Sequence, residues 1–378
     1  MMLRVLLDAT SLPAKRAGVG HYVFGLVGEL ARRPDRAELH VAARARDAGE
    51  LRLHAPAAVL HPVRVGGRAG RIVWEQTVLP GLARRIRPDV VHGPHYTIPL
   101  WGPGHRVVTF HDPTFFTDPH LHERSKVGYF TRMARRSAGR ADRMITVSEY
   151  ARRGAIEHAG ADPSRVDVVY LGVDHDRYRP DGDREDDERL RDACGVRGRY
   201  FLWIGTVEPR KDLPTLVRAF AGLARNAEDC VLVIAGQRGW RVEPFERSIE
   251  ESGAADRIVR PGYVSEDQKV ALYRGATALV YPSIAEGFGL QVVEAMACGC
   301  PVITTTGSAP EEVGGNAVEL VPPRDASSLS DAMERMLGDG ERARTLGERG
   351  LVRSAAFTWA RTAAGTLETY GRATGKKG

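Results

Sequence analysis

Residues 3–7 form a short apolar run of strand character, and residues 21–31 follow with Val23, Leu26, Val27 and Leu30 at helical spacing. That alternation repeats almost to the end of the chain. Strand-like runs recur at residues 39–43, 90–92, 107–110, 144–147 and 166–169, then at 200–204, 231–235 and 278–281, with helical patterns between them. Strands separated by helices bury both faces by pairing in parallel under a helical cover, so an α/β fold is expected. The chain has 378 residues, which at ~100–200 residues per domain suggests two. Residues 180–187 break the series with charge and no apolar period, and they read as a linker or a surface crossing. The expectation is therefore two Rossmann-like, doubly wound domains, residues 1–180 and 181–357. Ligands in such sheets bind outside the carboxyl ends of the strands, so two sheets facing each other would hold theirs in a central cleft.

Local signals set some of the helix boundaries. Asp212 is placed to cap a helix whose apolar face is Leu213, Leu216, Val217, Phe220 and Leu223, with Pro214 in its first turn. Ser265-x-x-Gln268 is a capping-box signature, and Gly299 follows the helix that begins at Leu290 as its natural stop.

Composition narrows the setting. No apolar run approaches the ~20 residues of a membrane-spanning helix. Charge at Arg4 and Asp8 comes too early for a secretory signal, which points to the cytoplasm. Cys298 and Cys300 lack the Cys-x-x-Cys spacing of zinc or redox sites, and Cys194 and Cys230 are isolated, so all four read as small buried apolar groups. Charge is split along the chain. Residues 1–180 carry 28 Lys+Arg against 18 Asp+Glu, a balance of +10, whereas residues 181–378 carry 26 against 30, a balance of −4. The first half should face something anionic. With 7 % aromatic residues and no recognised module, nucleic acid is not the expected partner. At residues 124–143, Lys126, Arg132, Arg135, Arg136, Arg140 and Arg143 interleave with Val127, Phe130, Met133 and Ala134. Such a helix lies on an anionic membrane, or else packs its apolar stripe inward and solvates its arginines; both readings stay open.

Three segments carry chemistry. After the first strand, Ala17-Gly18-Val19-Gly20 opens a helix whose N–H groups suit an anion. A dinucleotide fingerprint would put its glycines directly after the strand and an acid at the end of strand two. Here a long insertion intervenes and strand two runs into Ala42-Ala43-Arg44, which excludes NAD. Gly205-Thr206-Val207-Glu208-Pro209-Arg210-Lys211-Asp212 lies at the carboxyl end of the first strand of domain two. There Arg210 and Lys211 can neutralise a diphosphate and the charge that develops as it departs. The third segment is Glu286-Gly287-Phe288-Gly289-Leu290-Gln291-Val292-Val293-Glu294. Its glycines let backbone approach a ligand at a helix start. Glu286 and Glu294 can each accept from vicinal hydroxyls, one pair on a sugar and one on a ribose. Glu294 sits in an otherwise apolar helix, where an unpartnered carboxylate is costly and so wants a ligand.

The Glu-x7-Glu segment, with Ala295-Met296-Ala297-Cys298-Gly299-Cys300-Pro301 after it, resembles the signature of glycosyltransferase family 4, the retaining GT-B enzymes. The Gly18/Gly20 loop, His111-Asp112, Val147-Ser148, Gly205 to Asp212 and Phe357-Thr358-Trp359 fall in that family's order. The resemblance implies that Glu286 holds the donor sugar and Glu294 the ribose. Arg210 and Lys211 would take the diphosphate, with N–H groups of Gly18, Gly20, Phe288, Gly289 and Leu290. His111 would stand beside the transferred sugar, Val264 against the base, and Gly205 in the donor loop. Residues 358–378 would form a helix crossing back to domain one. The implied reaction moves a hexose, from GDP-mannose in the first place, to a glycan, lipid-linked or small-molecule acceptor by a same-face mechanism. No cofactor or metal is expected, because Arg210 and Lys211 supply the positive charge. UDP-glucose or UDP-N-acetylglucosamine as donor, sugar-nucleotide epimerisation, and a non-catalytic nucleotide-sugar-binding subunit are the rival readings.

Overall fold

The computed structural model describes residues 2–12, 18–225, 227 and 229–376. They divide into two units, Met1–Gly172 with Thr358–Gly378, and Val173–Phe357.

The first unit runs β1 (Leu3–Asp8), α1 (Gly18–Ala31), β2 (Ala37–Arg44), α2 (Ala45–His54), β3 (Val59–Val63), α3 (Gly67–Ile86), β4 (Val90–Gly93), β5 (His105–Phe110), α4 (Thr114–Thr117), α5 (Arg124–Arg140), β6 (Arg143–Thr146), α6 (Glu149–Ala159) and β7 (Val166–Val168). The second runs α7 (Arg184–Ala193), β8 (Arg199–Ile204), α8 (Leu213–Ala224), β9 (Cys230–Ala235), α9 (Glu243–Glu250), β10 (Ile258–Gly262), α10 (Glu266–Gly275), β11 (Ala278–Tyr281), α11 (Leu290–Ala297), β12 (Val302–Thr305), α12 (Ala309–Gly314), β13 (Glu319–Val321), α13 (Ala326–Gly338) and α14 (Gly340–Ser354). The last helix, α15 (Trp359–Thr374), belongs to the first unit.

The sheets follow one plan. The first has seven strands in the order β3-β2-β1-β4-β5-β6-β7, the second six in the order β10-β9-β8-β11-β12-β13. All their pairings are parallel. Central strands are apolar on both faces, as helices on both sides require: Val5, Leu6 and Leu7 in β1, and Phe201, Leu202 and Trp203 in β8, are buried. In each sheet the order reverses beside the first strand, between β1 and β4 and between β8 and β11. The carboxyl ends of these strands are where an open α/β sheet offers a ligand site.

Several boundaries differ from expectation. The stretch 180–187 crosses the surface of the second unit, exposed from Pro180 to Asp186, and is not a linker between the units. Asp183 accepts a hydrogen bond from the Asp186 N–H and caps α7, whose first turn holds Glu185, Asp186 and Asp187 against the positive end of the helix dipole. Asp187 is buried and takes the Arg274 guanidinium at 3.1 Å. The unit boundary accordingly falls ahead of 180/181, because Tyr178 donates to Glu266 and Arg274 Nε donates to the Arg179 carbonyl within the second unit. Asp212 does stand at the start of α8, but in the left-handed region (φ 49°) and without a side-chain capping bond. The Ser265/Gln268 capping box forms as expected. Strand β3 and helix α3 escape the periodicity reading, since β3 is a half-exposed edge strand containing Pro62.

Helix α5 packs Met133, Ala134 and Ser137 inward and leaves Arg132, Arg135, Arg136 and Arg140 exposed. Phe130 stacks on Phe115 with ring centroids 4.9 Å apart. The four cysteines are buried and free. No helix among the described residues is long and apolar enough to cross a membrane.

Candidate functional site

In the second unit, β8 ends at Ile204 and its following loop carries Arg210 and Lys211 into a single 3-10 turn. Strand β11 ends at Tyr281, and the loop after it reaches Glu286. The two loops are joined by the backbone, with the Ile284 N–H donating to the Arg210 carbonyl at 2.9 Å. Their side chains then converge. Arg210 Nη1 donates to Glu286 Oε2 at 2.6 Å and to the Ala285 carbonyl at 3.0 Å, while Nη2 donates to Glu208 Oε1 at 2.8 Å. Lys211 Nζ donates to Glu286 Oε1 at 2.5 Å and to the Tyr281 hydroxyl at 2.7 Å. The Tyr281 hydroxyl donates onward to Gln291 Oε1 at 3.1 Å.

All three charged groups are largely buried. Burial pushes the Glu286 carboxyl up, but Arg210 and Lys211 more than offset this and hold it at about 2. Burial likewise depresses Lys211, and the carboxylate of Glu286 reverses the shift, so the ammonium stays charged. An ionised carboxylate and two cations thus share one desolvated spot, where each is worth more than in water. Lysine has three N–H donors, and the described residues take two of those on Lys211.

Gly289 caps α11 with φ 90°, a conformation open to glycine at no steric cost, and a Cβ there would lie 3.1 Å from Pro310 Cγ. The N–H groups of Leu290 and Gln291 begin the helix without an intrahelical partner. Glu294, one turn in, is buried as expected, but it does not lack partners. Lys269 Nζ donates to its Oε1 at 3.1 Å, and Tyr273 donates to its Oε2 at 3.0 Å. Burial would depress Lys269, and Glu294 with Glu266 raises it instead. The capping box at Ser265 starts α10 in the phase that presents Lys269 and Tyr273 one turn apart, and the helix thereby answers the charge of its neighbour. So Glu286, Arg210 and Lys211 form one cluster and Glu294 anchors another. Val264, buried, follows the exposed Tyr263 just after β10, and Gly205 leaves β8.

The first unit holds the remaining candidates. Helix α1 starts at Gly18, at the glycines expected to open it, with Gly20 in its first turn; the preceding Ala17 lies outside the described residues. His111 follows β5 and is buried, with Nε2 2.7 Å from the Pro94 carbonyl. A carbonyl only accepts, so Nε2 carries the proton and Nδ1 keeps the lone pair. Burial lowers its pKa despite opposition from Pro94 and Asp112, leaving the imidazole neutral. The Tyr22 ring meets it edge-on at 5.1 Å. Behind that ring, Tyr22 OH and Thr109 Oγ1 are 2.9 Å apart, Thr109 Oγ1 and His92 Nε2 2.8 Å, and His92 Nδ1 and Tyr370 OH of α15 2.7 Å. Burial holds His92 at about 3, so it too is neutral. At the end of β1, Arg71 Nη1 lies 2.8 Å from Glu75 and 3.6 Å from Asp8. Neither stood out in the sequence: the His92 chain draws its members from four separated elements, and Arg71 and Glu75 of α3 meet Asp8 of β1 only in the folded unit.

Two Asp-x-Asp spacings occur, Asp174-His175-Asp176 and Asp181-Gly182-Asp183. Asp174 accepts from the Asp176 N–H at 3.1 Å and Asp183 caps α7, so each has a local task. Among the described residues no group of three or more His, Cys, Asp or Glu is arranged to hold a metal ion.

Two family descriptions match the chain: "Glycosyl transferases group 1" over residues 188–353 and "Glycosyltransferase Family 4" over residues 16–177. The chain is 31 % identical over 292 residues to an O-antigen chain mannosyltransferase B of Escherichia coli, covering 76 % of this chain and 75 % of that one. It is 34 % identical over 247 residues to a D-inositol 3-phosphate glycosyltransferase of Nocardia farcinica, covering 62 % of this chain and 53 % of that relative. Among solved structures, sucrose-phosphate synthase from Thermosynechococcus elongatus shares the fold at a TM-score of 0.79 and 22 % identity, covering 97 % of this chain and 98 % of that one. Anabaena HepE in complex with UDP-glucose does so at a TM-score of 0.78 and 19 % identity, covering 97 % and 99 %. Two parallel-sheet units of the GT-B fold class and this coverage by family and relative place the chain among the family 4 glycosyltransferases, as a transferase enzyme.

Proposed function

We propose that this enzyme transfers a hexosyl group from a nucleoside diphosphate hexose, GDP-mannose in the first place, to a hydroxyl of a glycan, lipid-linked or small-molecule acceptor. The transfer retains configuration and uses no metal. The observation that carries the reading is the buried cluster of Glu286, Arg210 and Lys211 on the loops that leave β8 and β11. Glu286, ionised throughout the working pH range, accepts from hydroxyls of the donor sugar. Arg210 and the remaining donor of Lys211 meet the diphosphate, whose charge grows as the C1–O bond to phosphate breaks. The N–H groups at the start of α11 add a helix terminus to that anion. Glu294 binds the ribose, with Lys269 and Tyr273 fixing its carboxylate. His111, neutral and anchored through Nε2, offers Nδ1 to a sugar hydroxyl rather than acting as a cation. The acceptor hydroxyl then attacks on the face the phosphate is leaving, and the departing phosphate oxygen takes its proton. The reaction belongs to the cytoplasm, where nucleotide sugars are made.

Mannose is favoured by the O-antigen mannosyltransferase relative. UDP-glucose is the second reading, because HepE was solved with that donor. The presence of His111, Arg210, Lys211 and Glu286 together speaks against a silent binding subunit. Thermal-shift measurement against GDP- and UDP-sugars, each with and without EDTA, tests the proposal. A ligand at 100 times its Kd stabilises by about 2.7 kcal/mol. GDP-mannose should give the largest shift, and turnover with it should survive EDTA. A larger shift with UDP-glucose would replace the donor, and activity abolished by EDTA and restored by Mn²⁺ would refute the metal-free mechanism.

A further inference from the structure

Helix α5 differs from the other charged helices of this chain. In several other helices arginines meet acids along their own helix: Arg152 with Glu149, Arg184 with Glu188, and Arg344 with Glu348. Helix α5 contains no Asp or Glu at all. Arg132, Arg136 and Arg140 follow one another at i, i+4 and i+8, a single row along its outer face. All three are exposed, and no ion pair to any of them is formed among the described residues. Like charges at that spacing repel, so in plain water the row weakens the helix that carries it. An arrangement that opposes its own helix points to an anion supplied from outside.

The row is part of a wider surface. Leu100 joins Arg135, Arg136, Gly139 and Arg140 around a shallow concavity of about 490 Å³. Next to Leu100, Trp101 is 44 % exposed, and the Arg84 guanidinium from α3 lies 5.1 Å from its ring centroid. The loop is held firmly: the Leu100 N–H donates to Gln76 Oε1 at 3.1 Å, and Arg106 donates to the Leu100 carbonyl at 3.1 Å. Arg84 and Arg85 are exposed on α3, whose one acid, Glu75, is buried. Asp142, just past α5, accepts from the Arg106 N–H at 2.7 Å.

We propose that the outer faces of α5 and the 100–101 loop form a docking surface for an anionic lipid bilayer. Three features single out a bilayer among polyanions. A fixed, exposed indole flanked by arginines suits the boundary between headgroups and acyl chains. The arginine row is straight and lies along a helix, which matches a flat layer of phosphates. Nothing in the patch interleaves aromatic rings for stacking on bases, as a single-stranded nucleic-acid track does. Docking by α5 is independent of which nucleotide sugar the other unit takes.

Co-sedimentation of the full chain with vesicles of phosphatidylcholine alone, and of phosphatidylcholine with phosphatidylglycerol, tests this. Binding should be confined to the anionic vesicles, strong at low salt, and weakened steeply, though not wholly removed, as the Debye length shortens. Reversing Arg132, Arg136 and Arg140 together to Glu should lower the partition by about a hundredfold or more, since each cation near the surface contributes roughly fivefold. The matching triple change to Lys should retain it, and a melting curve for each variant separates lost charge from lost fold. Trp101→Ser should weaken the salt-resistant part of the binding alone. Equal sedimentation with both vesicle types, or an unchanged partition for the folded triple Glu variant, overturns the proposal. Tighter binding to a DNA duplex than to the anionic vesicles, lost in the same variant, would reassign the surface to nucleic acid and overturn it as well.

Discussion

Glu286 and Glu294 are both buried carboxylates in one short segment, yet their partners differ in kind. Glu286 sits between two cations that also have donors to offer a diphosphate, whereas Glu294 is held by Lys269 and Tyr273 of α10. Because the folded pKa of Glu286 is lowered from 4.5 to about 2, its ion pairs stabilise the fold fully above the unfolded value. That stability is lost as pH falls through the folded value, so it is intact at neutral pH. Glu286→Ala should therefore abolish transfer while nucleoside diphosphate still binds through Arg210 and Lys211. Glu294→Ala leaves the Lys269 ammonium buried with Glu266 alone, a kind of change that costs up to ~3–5 kcal/mol, and it should weaken diphosphate binding and lower the melting temperature. Calorimetric titration with the diphosphate decides, and equal affinity for wild type and Glu294→Ala would remove the ribose assignment. Both acids and both cations were legible because each pair lies in one continuous, glycine-marked segment. Tyr281, Lys269 and Tyr273 were not. A tyrosine ending a strand and a lysine on a helix look like core and surface until the fold sets them beside a carboxylate.

At the level of elements, nine of the thirteen strands among the described residues were legible to within a few residues, since period and apolarity mark a strand buried on both faces, whereas β3, β10, β12 and β13 were not read. Caps were read less well. A run of acids after Asp183 satisfies a helix dipole as readily as it makes a linker, and only the burial of Asp187 against Arg274 shows which it does. The contact between α1 and α15 was invisible for another reason: it depends on an absent side chain. Gly25 lies on α1, and a Cβ built there would fall 2.2 Å from Trp359 Cδ2, so the indole of α15 rests directly on helix backbone. Gly25→Ala gains in helix propensity, which taken alone would stabilise α1 by roughly 1 kcal/mol. The clash should win, because overpacking a filled contact costs about 1–3 kcal/mol and the Trp359 backbone is itself held in close contact with Gly172. The expected result is a lower melting temperature, reversed by pairing Gly25→Ala with Trp359→Leu. A variant as stable as wild type would mean that the ring moves away freely.

At the scale of the molecule, two sheets share one plan, with the strand order reversing beside β1 in one and beside β8 in the other. The sequence predicts this duplication but not how the last helix is assigned, for which periodicity has no signal; the family resemblance supplied that expectation. The chain leaves the first unit at Gly172 and rejoins it at Thr358, so the second unit is continuous and the first is not. The rejoining helix is no appendage. Ala363, Leu367 and Tyr370 of α15 are buried, and the Tyr370 hydroxyl reaches His92 in the middle of the sheet. Burial of a Leu or a large aromatic side chain contributes about 1.5–3 kcal/mol each, and a buried imidazole nitrogen stripped of its partner costs a further ~1–3 kcal/mol. Their sum approaches the 5–15 kcal/mol that typically holds a domain together. A chain ending at Phe357 should therefore lose the first unit and keep the second. Hydrogen exchange reads this directly: amides of β4 and β5 should lose protection, while those of β8 and β11 keep it and nucleoside diphosphate still raises the melting temperature of what remains. Tyr370→Phe in the full chain isolates the hydroxyl and should cost only the hydrogen bond, leaving both units protected. Undiminished protection of β4 and β5 in the truncated chain would show that the first unit stands without α15, and that the helix returns there for some purpose other than folding.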